Sequence, residues 1–208
     1  GRRSKTWRSG DGNVIDLMVA YTSQAKQKQN LSSKSEVEAI VQAALAESNL
    51  VFSNSHVNAS LRLVHLVEVN YQETNLPGTD LNRTVDQSDG YLDQLHSLRD
   101  QYGADLVSLL ISEGDGTIAG IAKGMDYPSL DFEANGFNVV VIDQIGAPSY
   151  SLLHEIGHNM GCRHNREDAM NRGIPDTDSS NQSVFKAFNY GKRWLSGNEG
   201  FRTIMAYD

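Results

Sequence analysis

Three histidines and a glutamate stand at a spacing that organises chemistry, in the run His154-Glu155-Ile156-Gly157-His158-Asn159-Met160-Gly161-Cys162-Arg163-His164. On a helix, His154 and His158 lie four residues apart on one face, about 6 Å along the axis. Two imidazole nitrogens so placed can both reach one zinc ion at about 2.0–2.1 Å. Glu155 sits beside His154, so its carboxylate can lean towards water at the metal without becoming a ligand. Gly161 falls where the helix must stop and the chain must turn, a place for a left-handed residue that glycine adopts without strain. The turn would bring His164 back as the third nitrogen donor. Three protein ligands leave a fourth position for water, the pattern of a catalytic rather than a structural zinc.

The chain has six histidines in 208 residues, and three of them fall in this one segment. In a chain of this length and composition, chance would produce H-E-x-x-H-x-x-G-x-x-H with an expectation on the order of 10⁻⁵. A surface helix that merely happens to be His-rich is a poor account of it. His56, His65 and His96 lie on strand or helix patterns and read as ordinary packed or surface residues.

Such a helix needs a scaffold, and the rest of the chain reads as one. Val14 to Tyr21 is an apolar strand run with a single acid in it. Ser33 and Glu36 fit a capping box, and behind it Val37, Ile40, Val41, Ala44, Leu45 and Phe52 follow the spacing of an amphipathic helix. Leu61 to Val69 alternates as a strand. Leu81 to Tyr102 carries Leu92, Leu95, Leu98 and Tyr102 at helical spacing, closed by Gly103. Asp105 to Ser112 and Phe137 to Asp143 read as buried strands, with a short apolar piece at Ile118 to Ala122 between them. The signature helix then spans Ser151 to Met160, and from Gly161 the chain is polar until Phe201 to Tyr207. Alternating strands and helices predict an α/β layer with a mostly parallel twisted sheet.

Composition narrows the function further. With 18 basic and 26 acidic residues the net charge is −8, which disfavours nucleic acid or an anionic membrane as the main partner. Four cations (Arg2, Arg3, Lys5 and Arg8) crowd the first ten residues, so everything after them carries about −12. No stretch approaches 18 uncharged apolar residues, so no membrane span is expected. The one cysteine, Cys162, excludes a fold resting on internal disulfides. It reads as a structural thiol rather than a competing ligand, since tetrahedral zinc already has three histidines. A start at Gly1 without leader or transit pattern suits a product cut from a precursor and equally a chain expressed without its leader.

The signature resembles that of the metzincin zinc metallopeptidases, and the Met-turn that accompanies it in that family matches Thr203-Ile204-Met205-Ala206-Tyr207. Ala104-Asp105-Leu106-Val107, Gly120-Ile121-Ala122 and the signature helix are similar to the bacterial reprolysin-like branch, and within it to the peptidyl-Asp metallopeptidases. The resemblance implies one catalytic zinc on His154, His158 and His164, with Glu155 as general base and then acid. Met205 would lie beneath the site as a hydrophobic floor, with Gly161 making the turn. Tyr207 would either touch the metal or the tetrahedral intermediate, or be a buried core residue. The resemblance implies a mostly parallel sheet with one antiparallel edge strand, and Gly120, Ile121 and Ala122 fall where that strand binds substrate backbone.

A preference for Asp on the primed side would need a cation in the pocket. The stretch that walls it in the family offers Arg166, Arg172, Lys186, Lys192, Arg193 and Arg202, of which Arg193 and Arg202 lie nearest the Met-turn. The acids from Asp126 to Glu133, and Asp176 with Asp178, could hold calcium or form solvated loops. The expected organisation is one catalytic domain: an arm at 1–13, an upper subdomain at about 14–161 and a small irregular lower one at about 162–208. The family commonly continues past the Met-turn into a further helix, whereas this sequence stops at Asp208. Taken together, these features predict a secreted, bacterial, monomeric endopeptidase acting on proteins or peptides, with a pro-segment in its precursor. The rival is a catalytically silent zinc-binding module of the same fold, against which the presence of Glu155 counts.

Overall fold

In the computed structural model, the residues described are 13–126, 129–166, 190–196 and 199–206, and their side chains except at 130, 193–196 and 199–201. β1 (Val14–Thr22) is an interior strand of the sheet, with Leu17, Met18, Val19, Ala20 and Tyr21 all fully buried. Burial on both faces is what a central parallel strand requires, and it explains the nearly unbroken apolar run. β1 pairs in parallel with β2 (Ser60–Val69) on one side and with β3 (Leu106–Ile111) on the other. β3 pairs in parallel with β5 (Phe137–Val141), and the three-residue β4 (Gly120–Ala122) closes the edge antiparallel to β5. The order is β2-β1-β3-β5-β4, the mostly parallel sheet with one antiparallel edge strand that was expected.

Alternation along β1 divides the core in two. Leu17, Val19 and Tyr21 face one side with Val37, Val41 and Leu45 of α2 (Lys34–Asn54) and Leu152 and Ile156 of α5 (Ser151–Asn159). Met18 and Ala20 face the other with Leu92, Leu95, Val107, Leu109 and Val139. α1 (Ser23–Lys28) continues directly from β1, capped by the Thr22 hydroxyl. α2 starts at the expected capping box, with Ser33 Oγ accepting from Glu36 N and Glu36 Oε2 accepting from Ser33 N.

One expectation needs correction. The segment from Leu81 to Tyr102 is not a single helix but α3 (Pro77–Val85) and α4 (Gln94–Tyr102). Between them the carboxylates of Asp86, Asp89 and Asp93 accept from the backbone N–H groups of Ser88, Tyr91 and Gly90. These local bonds compete with helical ones and break the run, while Leu92 still reaches the core. Gly103 ends α4 at φ 65°, as its position suggested.

Beyond Gly161, β6 (Arg163–Asn165) pairs in parallel with β7 (Tyr190–Gly191), and β8 (Arg193–Ser196) pairs antiparallel with β9 (Glu199–Arg202). The sequence predicts no strands before residue 201 here, because none of these segments shows apolar alternation. Among the described residues no helix is long and apolar enough to cross a membrane.

Candidate metal centre

α5 buries Leu152, Leu153 and Ile156 against the sheet, which turns His154 and His158 together to its other side. The helix stops at Gly161, whose φ of 90° is the left-handed turn expected there. Cys162 N donates to Gly157 O at 2.8 Å and Gly161 N to His158 O at 3.0 Å, which satisfies the last carbonyls of the helix. The reversal leads into β6 and returns His164 to the two helix histidines.

The three rings converge through Nε2. His164 Nε2 lies 3.1 Å from His154 Nε2 and 2.9 Å from His158 Nε2. The other nitrogens are spoken for: His154 Nδ1 is 2.7 Å from Ile204 O, and His158 Nδ1 is 2.9 Å from Cys162 O. A carbonyl only accepts, so each Nδ1 carries the proton and each Nε2 presents a lone pair. Both lone pairs aim at His164, which has one Nε2 to offer. A cation resolves that conflict, and carbonyl-fixed tautomers are how histidine ligands are held. Among the described residues this is the group of His, Cys and acidic side chains drawn close enough to hold a metal. Burial favours the neutral form of the two helix histidines, lowering His154 and pushing His158 down to about 3.

Glu155 lies on the neighbouring face of α5, buried, with Oε2 lacking a hydrogen-bond partner among the described residues. Burial pushes its carboxyl up to about 8, so without a nearby cation it holds its proton at neutral pH. A positive charge on the three histidines would favour the ionised form. The donor set, its fixed tautomers and this orphaned oxygen therefore fit a divalent metal with nitrogen ligands.

The edge strand adjoins the carboxyl through a missing side chain. A Cβ at Gly120 would meet Glu155 Cγ at 2.7 Å and Oε1 at 2.9 Å. Gly120, Ile121 and Ala122 thus form β4 beside the site, and Gly120 has a reason to be glycine that sequence reading missed. A similar absence receives Met205, since a Cβ at Gly157 would meet its Sδ at 2.5 Å. Met205 therefore packs against the helix between the two helix histidines.

Other expected residues divide. The Cys162 thiol is half-buried, raised by that burial, and not part of the histidine group. Arg202 is exposed, donates Nη1 to Ala206 O at 3.0 Å, and is close enough for its charge to lower His154. Arg193 lies in β8, but its side chain is outside the described residues, as is all of Tyr207. Asp126, one of the candidate calcium acids, is paired with Arg163, while Asp176 and Asp178 are outside the described residues. His65 stacks on Tyr102 at 3.7 Å and His96 Nε2 meets Thr84 O at 3.1 Å, both ordinary packing. Asn159, which sequence reading passed over, is fully buried and bonded to three residues in two segments. A cavity of about 1240 Å³ at the amino-terminal ends of the parallel strands touches Asn159 but none of the three histidines.

Comparison with known proteins agrees with this geometry. The reprolysin-type model of metallo-peptidase family M12 matches residues 11–208. A protein of Stenotrophomonas maltophilia named peptidyl-Asp metalloendopeptidase is 33% identical over 201 residues, covering 96% of this chain and 43% of that protein. One of the same name from Pseudomonas aeruginosa is 31% identical over 203 residues, covering 93% of this chain and 32% of that protein. The chain thus spans less than half the length of these curated relatives. A solved structure described as a chaperone-substrate complex shares the fold at a TM-score of 0.60 and 18% identity, over 75% of this chain and 27% of that one.

Proposed function

The chain belongs to metallopeptidase family M12, and on that footing we propose that it is a zinc-dependent endopeptidase with His154, His158 and His164 as ligands. The observation that carries this reading is the convergence of imidazole nitrogens beside a buried carboxylate oxygen that no described residue partners. Zinc bound there supplies Lewis acidity towards a peptide carbonyl and towards water. Glu155, once ionised, takes a proton from the water that attacks the carbonyl carbon. It then returns that proton to the leaving amine as the C–N bond breaks. The outer edge of β4 takes the substrate backbone by strand addition. Met205 floors the site, and Tyr207 is a candidate donor to the developing oxyanion.

The cleft in this reading runs between an upper part, about 14–161, and a lower part, about 162–208. Substrates are proteins or peptides, and the names of the relatives support a preference for Asp. Arg193 and Arg202 are the cations this reading offers for such a side chain, and Arg202 is exposed, with Nη1 donating to Ala206 O beside the Met-turn. An extracellular location belongs to the same reading, since an unrestrained endopeptidase endangers its own cell.

The test is cleavage of a mixed peptide library by the zinc-loaded protein, mapped by mass spectrometry. Cuts on the amino side of Asp, abolished by a chelator and restored by zinc, are expected. Glu155→Gln should keep one zinc per chain while turnover falls at least about a hundredfold. Near-normal turnover in that zinc-loaded variant overturns the mechanism. A wild-type protein that binds zinc and cuts nothing is a binding module instead, and cuts dominated by Leu or Phe reject the acidic preference alone.

A further inference from the structure

We propose that Asn159 is a positioning residue, whose amide clamps β4 to the end of the metal-site helix and so sets where a substrate strand lies. The proposal rests on the endopeptidase reading above for its kinetic consequence, but not for its structural one. Asn159 follows His158 directly and is 1% exposed. Its Nδ2 donates to Lys123 O at 2.7 Å and to Phe137 O at 3.1 Å. Its Oδ1 accepts from Asn138 Nδ2 at 2.9 Å. Two carbonyls can only accept, so they fix which way the amide points.

Those partners are the exit of β4 and the first two residues of β5. Phe137 O also accepts from Lys123 N at 3.2 Å, the bond that carries the β4–β5 pairing one residue beyond Ala122. Asn138 is the register partner of Ala122. One side chain of α5 is thus bonded to both strands at the point where their pairing ends. The helix backbone adds a further tie, Met125 N to His158 O at 3.1 Å.

The edge strand needs this help. It has three residues and three register pairs with β5, and among the described residues no strand lies beyond it. So short a strand is at the bottom of the usual range and holds its place weakly on ladder bonds alone. Its two ends are secured differently. Before Gly120, Ala119 O accepts from Val141 N at 2.8 Å. After Ala122, the bond from Lys123 N to Phe137 O is reinforced by the buried amide of Asn159, which donates to both of those residues. Because Asn159 is the next residue after His158, it fixes the substrate edge directly to a metal-binding position.

Loss of the clamp should let the Ala122 end of β4 move while Glu155 and the histidines stay in place. A peptide long enough to pair along β4 then loses binding in ground state and transition state alike, which raises KM and leaves kcat. A substrate too short to reach the strand is unaffected. A merely stabilising asparagine would lower Tm without this dependence on substrate length.

The experiment compares zinc-loaded wild type with Asn159→Leu, close in volume but without the donor, and with Asn159→Ser should the first variant fold poorly. Hydrogen exchange without substrate is the first readout. Peptides covering 120–126 should exchange about tenfold faster, with 14–22 and 106–111 unchanged, the size expected for a lost hydrogen bond. With one zinc per chain retained, KM for an extended peptide should rise about tenfold at unchanged kcat, while the short substrate keeps both constants. Unchanged exchange over 120–126, or an equal fall in kcat for long and short substrates, overturns the proposal. If wild type cuts no peptide, the endopeptidase reading has failed, and the exchange result still decides whether Asn159 holds the strand.

Discussion

α5 and β4 meet at Glu155 and serve the site in opposite ways. The helix contributes side chains of fixed type, two imidazoles and a carboxylate, on a surface that the buried Leu152 and Ile156 orient. The strand contributes backbone and, at Gly120, the absence of a side chain. Chemistry by side chain leaves a spelling in the sequence, because only a few residue types bind a metal or move a proton. Chemistry by backbone leaves almost none. The requirement at Gly120 is that nothing stand where the Glu155 stem lies, and a glycine in a Gly-rich stretch can equally well serve a turn or a loop.

The largest effect should come from the helix. His158→Ala removes one of three nitrogen donors, so zinc affinity and hydrolysis should both be lost. Metal content after dialysis and turnover in parallel check this. One zinc per chain with unchanged affinity would show that the helix does not supply the ligands proposed for it.

The matching change on the strand should act on rate without touching the metal. Gly120→Ala places a methyl 2.7 Å from Glu155 Cγ, and the carboxylate must give way. Displacing a proton-transfer group by about 1 Å can cost up to about a hundredfold, so kcat should fall about ten- to a hundredfold with zinc retained. KM for long peptides should change little, since the backbone edge remains. This outcome is the reverse of that expected at Asn159. The two ends of one short strand would then control separate kinetic constants. Unchanged kcat in the alanine variant would mean that the carboxylate has slack, and the contrast between the ends would collapse.

Much of this could be read from residues alone, for physical reasons that differ by element. β1, β3 and β5 are buried on both faces, so their apolar runs were unambiguous. α2 carries its own start signal in Ser33 and Glu36, and α5 its stop signal in Gly161. The break between α3 and α4 was missed because the helical spacing of Leu92, Leu95 and Leu98 was carried back to Leu81, across Asx turns at Asp86 and Asp89 that periodicity does not register. β6, β7, β8 and β9 are two to four residues long, too short for alternation to show. Asn159 was invisible for a similar reason. Its partners are two backbone carbonyls and a second asparagine, distant in sequence and ordinary in type.

The metal-free protein should show the helix's buried groups as opposing pH slopes of stability. Burial holds His158 at about 3 against an ordinary 6.5, so as pH falls below 6.5 the unfolded chain takes up a proton that the folded one refuses. Stability therefore declines towards acid. Burial raises Glu155 from 4.5 to about 8, so between those values the unfolded chain has lost a proton that the folded one keeps. Stability therefore declines as pH rises through that range. His154, also lowered by burial, adds to the acidic side, so the histidine slopes outweigh the carboxyl slope below 6.5 and Tm of the metal-free chain should peak near 6.5. Glu155→Gln should remove the alkaline decline and leave the acidic one. A Tm that climbs steadily from pH 5 to 8 in metal-free wild type would contradict the buried, unpartnered state of the carboxyl.

The smallest effect should fall at Met205, where the helix rather than the strand contributes the missing side chain. Gly157 leaves room for Met205 Sδ much as Gly120 leaves room for Glu155, with 2.5 Å to a notional Cβ. The occupants differ in what they must do. In the proposed mechanism the carboxylate moves a proton and must be placed to a fraction of an ångström, whereas a thioether proposed to fill space needs only contact. Met205→Leu keeps the volume but puts a branch where an unbranched chain passed the Gly157 backbone. Repacking of that kind costs under about 1.5 kcal/mol. For a chain of this size that is a fall in Tm of roughly 3–6 °C, read by calorimetry on the zinc-loaded protein. Zinc content and kcat should hold, because His154 Nδ1 is anchored by the carbonyl of Ile204, which the substitution leaves in place. If kcat fell tenfold with the metal retained, the methionine would be tuning the histidines rather than flooring them. Gly157 and Gly120 would then be equivalent devices, and the helix would share the strand's dependence on what is absent.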